Sequence, residues 1–263
     1  MKITSSANKH IKDVIQIREK HAKFRHAAFL VEGPHLVEMA LASGVQIKEV
    51  FVTEAFINAK EHRALIGKIT AAIFEVSEQV LEKITDTETP QGIVALAGYK
   101  PGKLDALSLK DHPLLVVLDA IQDPGNLGTI IRTADAAGAD AVILLPGTCD
   151  AFMPKVIRAT AGSLFNLPLV YAEPAPLVDW LHNKKIQLAV TAADTGKTIF
   201  ESDLRGPVAI AFGNEAHGLS DHLRKAADLI LTIPILGKAE SLNVATSAAV
   251  CLYETVRQRK ATS

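Results

Sequence analysis

Cysteine is scarce in this chain: only Cys149 and Cys251 occur among 263 residues. That excludes a disulfide framework and points to a reducing, cytoplasmic setting. No cluster of His and Cys has metal-ligand spacing, so no metal site is expected. No apolar run reaches the roughly 18 residues a membrane helix requires. The opening Met1-Lys2-Ile3-Thr4-Ser5-Ser6 leads into polar sequence and lacks the apolar core of a signal peptide. An excess of one charge is also missing, with 28 basic against 29 acidic side chains, so no global field draws the protein to nucleic acid. Hydrophobic residues at 48% and charged ones at 22% exclude the disordered and fibrous classes. A soluble, cytoplasmic, globular protein of about two domains is expected.

Charge is uneven locally. Within the first 26 residues Lys2, Lys9, Lys12, Arg18, Lys20, Lys23 and Arg25 face only Asp13 and Glu19, with His10, His21 and His26 among them. Such a segment is either a solvated helix face or a phosphate-binding surface driven by counterion release.

Alternation of apolar runs and turn chemistry predicts an α/β protein with a mostly parallel sheet. In residues 1–98, Asn8 is placed to cap a helix carrying Ile11, Val14 and Ile15. Strands are expected at Ala28–Val31, Ile47–Val52, Ile73–Val76 and Gly92–Ala97. Helices are expected from Pro34 to Gly44, over Ala55–Lys68 and from Ser77. Residues 99–113, with two prolines, Gly102 and several charges, form a composition break that reads as a linker. In 114–263, Leu114–Leu118 is a continuous apolar strand of the kind buried on both faces. Further strands are expected at Ala141–Leu145, Leu167–Tyr171, Ile186–Thr191, Val208–Phe212 and Leu229–Ile233, with helices over Asn126–Ala137 and Asn243–Arg259.

Ligands of parallel sheets bind outside the carboxyl ends of strands, and three strand ends are unusual here. The first is Asp119-Ala120-Ile121-Gln122-Asp123-Pro124-Gly125-Asn126-Leu127-Gly128, followed by Arg132. Asn126 stands where a helix cap accepts backbone N–H groups. Gly128 weakens the first turn by about 1 kcal/mol relative to alanine, which suggests close approach by chain or ligand. Arg132, four residues on, lies on the same face and either snorkels to solvent or meets an anion in a cleft. The second is Gly213-Asn214-Glu215-Ala216-His217-Gly218-Leu219-Ser220, where glycine lets a ligand near the backbone beside a carboxylate, or merely serves a turn. In the third, Ser241-Leu242-Asn243-Val244-Ala245, either Ser241 or Asn243 is placed to cap the last helix.

Several familiar chemistries fail inspection. Thr191–Thr198 resembles a P-loop but has Thr191 where the first glycine belongs. No G-x-G-x-x-G follows a strand, and neither G-x-S-x-G nor H-E-x-x-H occurs. His217 reads as a solvated side chain and Cys251 as a core residue.

Taken together and in order, the combination Asp123-Pro124-x-Asn126-x-Gly128-x-x-x-Arg132, then Gly213-Asn214-Glu215-x-x-Gly218-Leu219-Ser220, then Ser241-Leu242-Asn243-Val244-Ala245 resembles the signature of the SpoU (TrmH-like) RNA ribose 2′-O-methyltransferases. The resemblance covers about 114–259. Ala216 departs from the glycine common at that place and adds only a methyl. Phe29-Leu30-Val31-Glu32-Gly33 and Thr89-Pro90-Gln91-Gly92 are similar, more loosely, to the small α/β RNA-binding domain that precedes the catalytic domain in rRNA-directed members. The resemblance implies a C-terminal parallel α/β domain with a trefoil knot, a rarity among folds, and a homodimer with active sites beside the subunit interface. It also implies S-adenosylmethionine held by the backbone around Gly213, Ile233 and Leu242. Arg132 is implied at the reacting ribose, with Asn126, Glu215, Ser241 and Asn243 at the other active-site positions. A full leading domain favours ribosomal RNA over transfer RNA as partner. The rivals are a tRNA-directed enzyme and a non-catalytic RNA-binding assembly factor, and the latter is expected to lose Arg132 or the cofactor loop.

Overall fold

The computed structural model describes residues 2–19, 28–99, 102–192 and 197–261. Lys20, His21, Lys23, Arg25 and His26 of the basic leading segment, and Ala193 to Gly196 of the P-loop-like stretch, lie outside the described residues. The chain divides into two compact units. Residues 1–100 and Asp150–Asn166 form the first, and 101–149 with 167–263 form the second.

In the first unit, β1 (Lys2–Ile3), β2 (Ala28–Glu32), β3 (Ile47–Thr53), β4 (Ala72–Val76) and β5 (Ile93–Gly98) make one sheet in the order β1-β4-β3-β5-β2. β1, β4 and β3 run parallel, while β5 is antiparallel to both its neighbours. Helix α1 (Lys9–Glu19) buries Ile11 and Val14, and Asn8 Oδ1 accepts the His10 N–H at 2.9 Å, as its position predicts. Pro34 opens α2 (Pro34–Ala42) at a position where no N–H is needed. The single helix expected over 55–68 is broken into α3 (Glu54–Asn58), a 3₁₀ turn and α4 (Arg63–Lys68). The side chain of Ser77 caps α5 (Glu78–Ile84).

Part of the basic segment is committed internally. Lys2 Nζ pairs with Glu54 at 2.8 Å and Glu75 at 2.7 Å, and Arg18 Nη1 donates to the Thr85 carbonyl. Lys9 and Lys12 remain exposed.

Two other differences from the sequence reading concern where the units divide. Residues 102–113 do not hang free between units: Gly102 bridges to Val170, and Leu104, Leu107 and Leu109 pack on the second unit's core. The spacing of these leucines is irregular, so no period betrayed them. Residues 150–166, expected within 114–263, instead join the first unit. There Phe152 and Phe165 flank Phe29, with ring centroids 4.9 and 6.3 Å away. This segment carries the helix α7 (Pro154–Thr160).

The second unit is a seven-stranded, all-parallel sheet. Its strands are β6 (Leu114–Leu118), β7 (Ala141–Leu144), β8 (Leu169–Tyr171), β9 (Gln187–Thr191), β10 (Lys197–Thr198), β11 (Val208–Phe212) and β12 (Leu229–Thr232), in the order β10-β12-β9-β11-β6-β7-β8. The central pair β6 and β11 is buried at every residue, as a sheet covered on both faces requires. On one face Leu177, Trp180 and Leu181 of α8 (Pro174–Lys184) and Leu223 of α9 (Asp221–Ala226) close the core. Elsewhere α6 (Pro124–Ala136) packs on α10 (Val244–Lys260). Cys251 on α10 is fully buried, and that burial pushes its thiol up to about 12. No helix among the described residues is long and apolar enough to cross a membrane.

Candidate active site

The three unusual segments meet at the carboxyl ends of the parallel strands. Asp119 follows β6, Gly213 follows β11 and Ile233 follows β12, so strand order alone gathers them.

The first helix of the site starts earlier than its sequence suggests. Asp123, not Asn126, is the N-cap of α6: its Oδ1 accepts the Asn126 N–H at 2.8 Å, with Pro124 at the first helical position. The Asn126 side chain is thereby released from capping. Its Nδ2 donates to Glu215 Oε1 at 2.7 Å, and its Oδ1 accepts from Asn243 Nδ2 at 3.0 Å. Asn243 caps α10, its Oδ1 accepting the Ala245 and Thr246 N–H groups at 2.9 and 3.3 Å. A cap oxygen must accept, so the Asn243 amide nitrogen is left to donate, Asn126 Oδ1 must accept, and Asn126 Nδ2 points at the carboxylate. The polarity of all three groups follows from one helix end.

Two residues outside the proposed site hold the loops. Asn214 is buried; its Nδ2 donates to the Ala120 carbonyl at 2.9 Å, and its Oδ1 accepts from the Ala216 and His217 N–H groups. Asp119, also buried, accepts the Ser220 N–H at 2.7 Å. Between them Ala120 takes φ 57°, an unusual conformation for a residue with a side chain and one that concentrates at functional sites. A lone acid at the end of the Leu114–Leu118 run was the available signal for Asp119. His217 itself is exposed.

Gly213 is required for a reason other than the expected one. A Cβ there would lie 2.3–2.5 Å from backbone atoms of Gly218 and Leu219, so it is the loop's own return, and not a ligand, that excludes a side chain.

A cavity of about 460 Å³ opens beside this loop. Gly213, Ile233 and Leu242 line it, together with Glu215, Ser241 and Asn243. Leu219, Leu231, Ile235 and Val244 extend its apolar wall, and Arg224 and Glu240 place opposite charges on it. The volume lies in the range of small-molecule sites. The donor set suits S-adenosylmethionine: apolar walls and backbone for the adenine, a cation and an anion for the zwitterionic amino-acid end. Arg224 and Glu240 were not singled out from sequence, since isolated charges in loops and short helices have no distinguishing pattern.

Arg132 is not brought into this group. It is exposed on α6, does not line the cavity, and has no hydrogen-bond or ion-pair partner among the described residues. Six residues separate it from Asn126, roughly 9 Å of helix rise and a third of a turn around the axis. Gly128, by contrast, is buried.

An all-parallel α/β unit with a cofactor-sized cavity at its strand ends, lined by Glu215 and Asn243, which both bond to Asn126, has the features of a small-molecule-binding protein of the α/β class. Comparison with known proteins sharpens this. Residues 113–253 match the model of the SpoU rRNA Methylase family, and 8–95 match an MRM3-like substrate binding domain. The chain is 39% identical over 253 residues to the 23S rRNA (guanosine(2553)-2′-O)-methyltransferase RlmP of Bacillus subtilis, covering 95% of this chain and 97% of that protein. Among solved structures it resembles the AdoMet-bound rRNA methyltransferase from Sinorhizobium meliloti, with TM-score 0.88 and 32% identity over 98% of this chain and 97% of the other. It also resembles the SpoU methyltransferase AviRb from Streptomyces viridochromogenes in complex with AdoMet, with TM-score 0.89 and 30% identity over 96% and 98% of the two chains. The chain belongs to the SpoU rRNA methylase family.

Proposed function

We propose that this protein methylates a ribose 2′-hydroxyl in large-subunit ribosomal RNA. The observation that carries this reading is the Asn243–Asn126–Glu215 relay, whose two end members line the cavity. Two relatives with nearly full-length coverage are named as 23S rRNA 2′-O-methyltransferases, which supports the choice of RNA. When bound, S-adenosylmethionine supplies an electrophilic methyl group on a sulfonium.

The residues have distinct tasks. Gly213, Ile233 and Leu242 hold the cofactor. Asn126, Ser241 and Asn243 orient the ribose, and Glu215 fixes Asn126 by accepting its amide proton. As the 2′-oxygen attacks, its proton must leave and negative charge gathers on oxygen. Arg132 stabilises that charge. A guanidinium stays protonated throughout the neutral range and is a poor base, which favours a neighbouring RNA phosphate over Arg132 as the proton acceptor.

Arg132 stands exposed and unpaired, which suits a group that meets its partner only when RNA or a second subunit arrives. A twofold dimer is part of the proposal, supported by Leu236 at 97% and Tyr253 at 51% exposure, both large apolar side chains turned to solvent. A cytoplasmic location follows from the substrate.

The test is to map ribose 2′-O-methylation across ribosomal and transfer RNA in cells with and without the gene. Loss of one methyl from large-subunit rRNA is expected. Loss confined to tRNA would overturn the substrate, and an unchanged map together with no methyl transfer in vitro would overturn the activity.

A further inference from the structure

The last turn of α10 lies at the opposite end of the second unit's sheet from the site. There Arg259 donates to backbone carbonyls of two separate stretches of chain. Its Nη1 reaches His112 at 2.8 Å, its Nη2 reaches Pro113 at 3.1 Å and Gly206 at 2.8 Å, and its Nε reaches Leu204 at 3.4 Å. His112 and Pro113 immediately precede β6, and Gly206 lies just before β11. The neighbouring Gln258 holds the second stretch as well. Its Oε1 accepts the Leu204 N–H at 2.8 Å, and its Nε2 donates to the Ser202 carbonyl at 2.9 Å. Burial pulls the Arg259 guanidinium down, against the charge of Asp140. Carbonyls in such a half-buried place are costly to leave without a donor.

The segments tied here carry the site at their other ends. β6 runs on through Asp119 to Asn126 in the first turn of α6, β11 leads to Gly213 and Glu215, and α10 begins at Asn243. Arg259 therefore joins, at the amino ends of the strands, the same three segments that the Asn243–Asn126–Glu215 relay joins at the carboxyl ends. Sixteen residues separate Arg259 from Asn243, roughly 24 Å of helix rise, so any influence travels along the helix. The capping bonds of Asn243 are internal to α10 and do not fix where the helix sits. Its buried side chains nearest the site, Ala245 and Ala248, are small, and small side chains make shallow ridges that resist axial displacement weakly. The polar bonds at Gln258 and Arg259 set that placement instead. The Asn243–Asn126 bond, at 3.0 Å, is lost when its partners separate by only about half an ångström.

We propose that Arg259 is a positioning residue for methyl transfer, holding α10 against the starts of β6 and β11 so that Asn243 Nδ2 stays within reach of Asn126 Oδ1. Arginine suits this task because its N–H donors form a rigid fork, which lets one side chain gather several carbonyls in fixed directions. The ammonium of lysine is a single point on a flexible stem and cannot reproduce the fork. Arg259 touches neither the cavity nor its lining and acts only through the relay. This inference rests on the reading of the relay as the group that orients the ribose.

The experiment measures single-turnover methyl transfer by the full-length protein to ribosomal RNA extracted from cells lacking the gene. Wild type, Arg259→Met, Asn243→Ser and the double variant are compared well below their melting temperatures. Arg259→Met is expected to slow the saturated rate about tenfold, with the half-saturating RNA concentration changed less than about twofold. In the Asn243→Ser background, where the bond to Asn126 is already gone, the same substitution should slow the rate no more than about twofold. Two distant sites that act independently would show the full factor again. If Arg259→Met does not fold, Arg259→Lys makes the same comparison. A variant with a lowered melting temperature and an unchanged rate would show that Arg259 only stabilises the fold, and would overturn the proposal. Equal slowing in both backgrounds would overturn it too, since Arg259 would then act by another route. A fully active Asn243→Ser enzyme would remove the relay, and the proposal with it. No transfer by the wild type would overturn the reading of the substrate on which all of this rests.

Discussion

Asn243 donates through Nδ2 to Asn126 Oδ1 at 3.0 Å, joining the cap of the last helix to the first turn of a helix 117 residues earlier. The same Asn243 side chain accepts two backbone N–H groups through Oδ1. One amide thus serves stability and the site with different atoms, and the two roles can be separated.

Asn243→Ser retains a capping oxygen and loses the donor to Asn126. Stability should change by a few tenths of a kcal/mol, whereas Asn243→Ala should lose about 1 kcal/mol. Methyl transfer to RNA should fall about a hundredfold in both. Thermal melts together with labelled-methyl transfer make the comparison, and an active Asn243→Ser enzyme would show that the relay is only a cap.

Arg132→Ala removes an exposed side chain without described partners, so the melting temperature should hold. Cofactor affinity by calorimetry should hold as well, because Arg132 does not line the cavity. Turnover should drop by at least about a hundredfold. Arg132→Lys should recover little of it, since an ammonium cannot clamp a phosphate through two parallel bonds.

Gly213→Ala should destabilise the protein by roughly 1–3 kcal/mol, because the new methyl meets the Gly218–Leu219 backbone. Any loss of cofactor binding there will accompany loss of structure. Leu242→Asn is the cleaner probe. This residue is 37% exposed on the cavity wall, so the fold should tolerate the change while S-adenosylmethionine binds roughly tenfold more weakly.

Tyr253→Glu and Leu236→Glu place a charge on the apolar side chains assigned to the subunit interface. Light scattering should give twice the monomer mass for the wild type and a shift toward monomer in the variants. A wild-type monomer with full activity would remove the dimer from the mechanism.

The thiol of Cys251 has an ordinary value of 9.0 and is raised to about 12 by burial. In the unfolded chain it ionises first, so the stability tied to its neutral form is complete below about pH 9 and is lost as pH rises toward about 12. The alkaline decline of the melting temperature should therefore be shallower in Cys251→Ala. Native alkylation at pH 8 should spare Cys251, as read by peptide mass spectrometry.

Much of the second unit was legible because its strands are continuous apolar runs. Leu114–Leu118 and Val208–Phe212 occupy the strands expected of them, and both are wholly buried. The helices Pro154–Thr160, Pro174–Lys184 and Asp221–Ala226 were not anticipated. Two of them open on proline, which signals a loop as readily as a helix start, and two are too short to show a period. Within the site, the resemblance to the SpoU signature singled out Asn126, Glu215, Ser241 and Asn243, and the fold joins Asn126, Glu215 and Asn243 by hydrogen bonds. The resemblance could not show that Asp123 would do the capping, because Asp-Pro-Gly also reads as a turn. Lys2 looked available to RNA because Glu54 and Glu75 are distant in sequence, and only the β1–β4 pairing brings Glu75 near.

The membership of residues 150–166 in the first unit has a bearing on biosynthesis. A nascent chain leaves the ribosome from its N-terminus, so when residue 100 emerges the unit still lacks Phe152 and Phe165 for Phe29, and Arg158 for Glu32. About fifty more residues of another unit must be translated before the Phe29 side of this unit is covered, at a rate that gives chaperones seconds to act. A gene fragment ending near residue 100 would leave Phe29 uncovered and Glu32 without Arg158, while a circular permutant that keeps 150–166 covalently beside the leading strands would restore both.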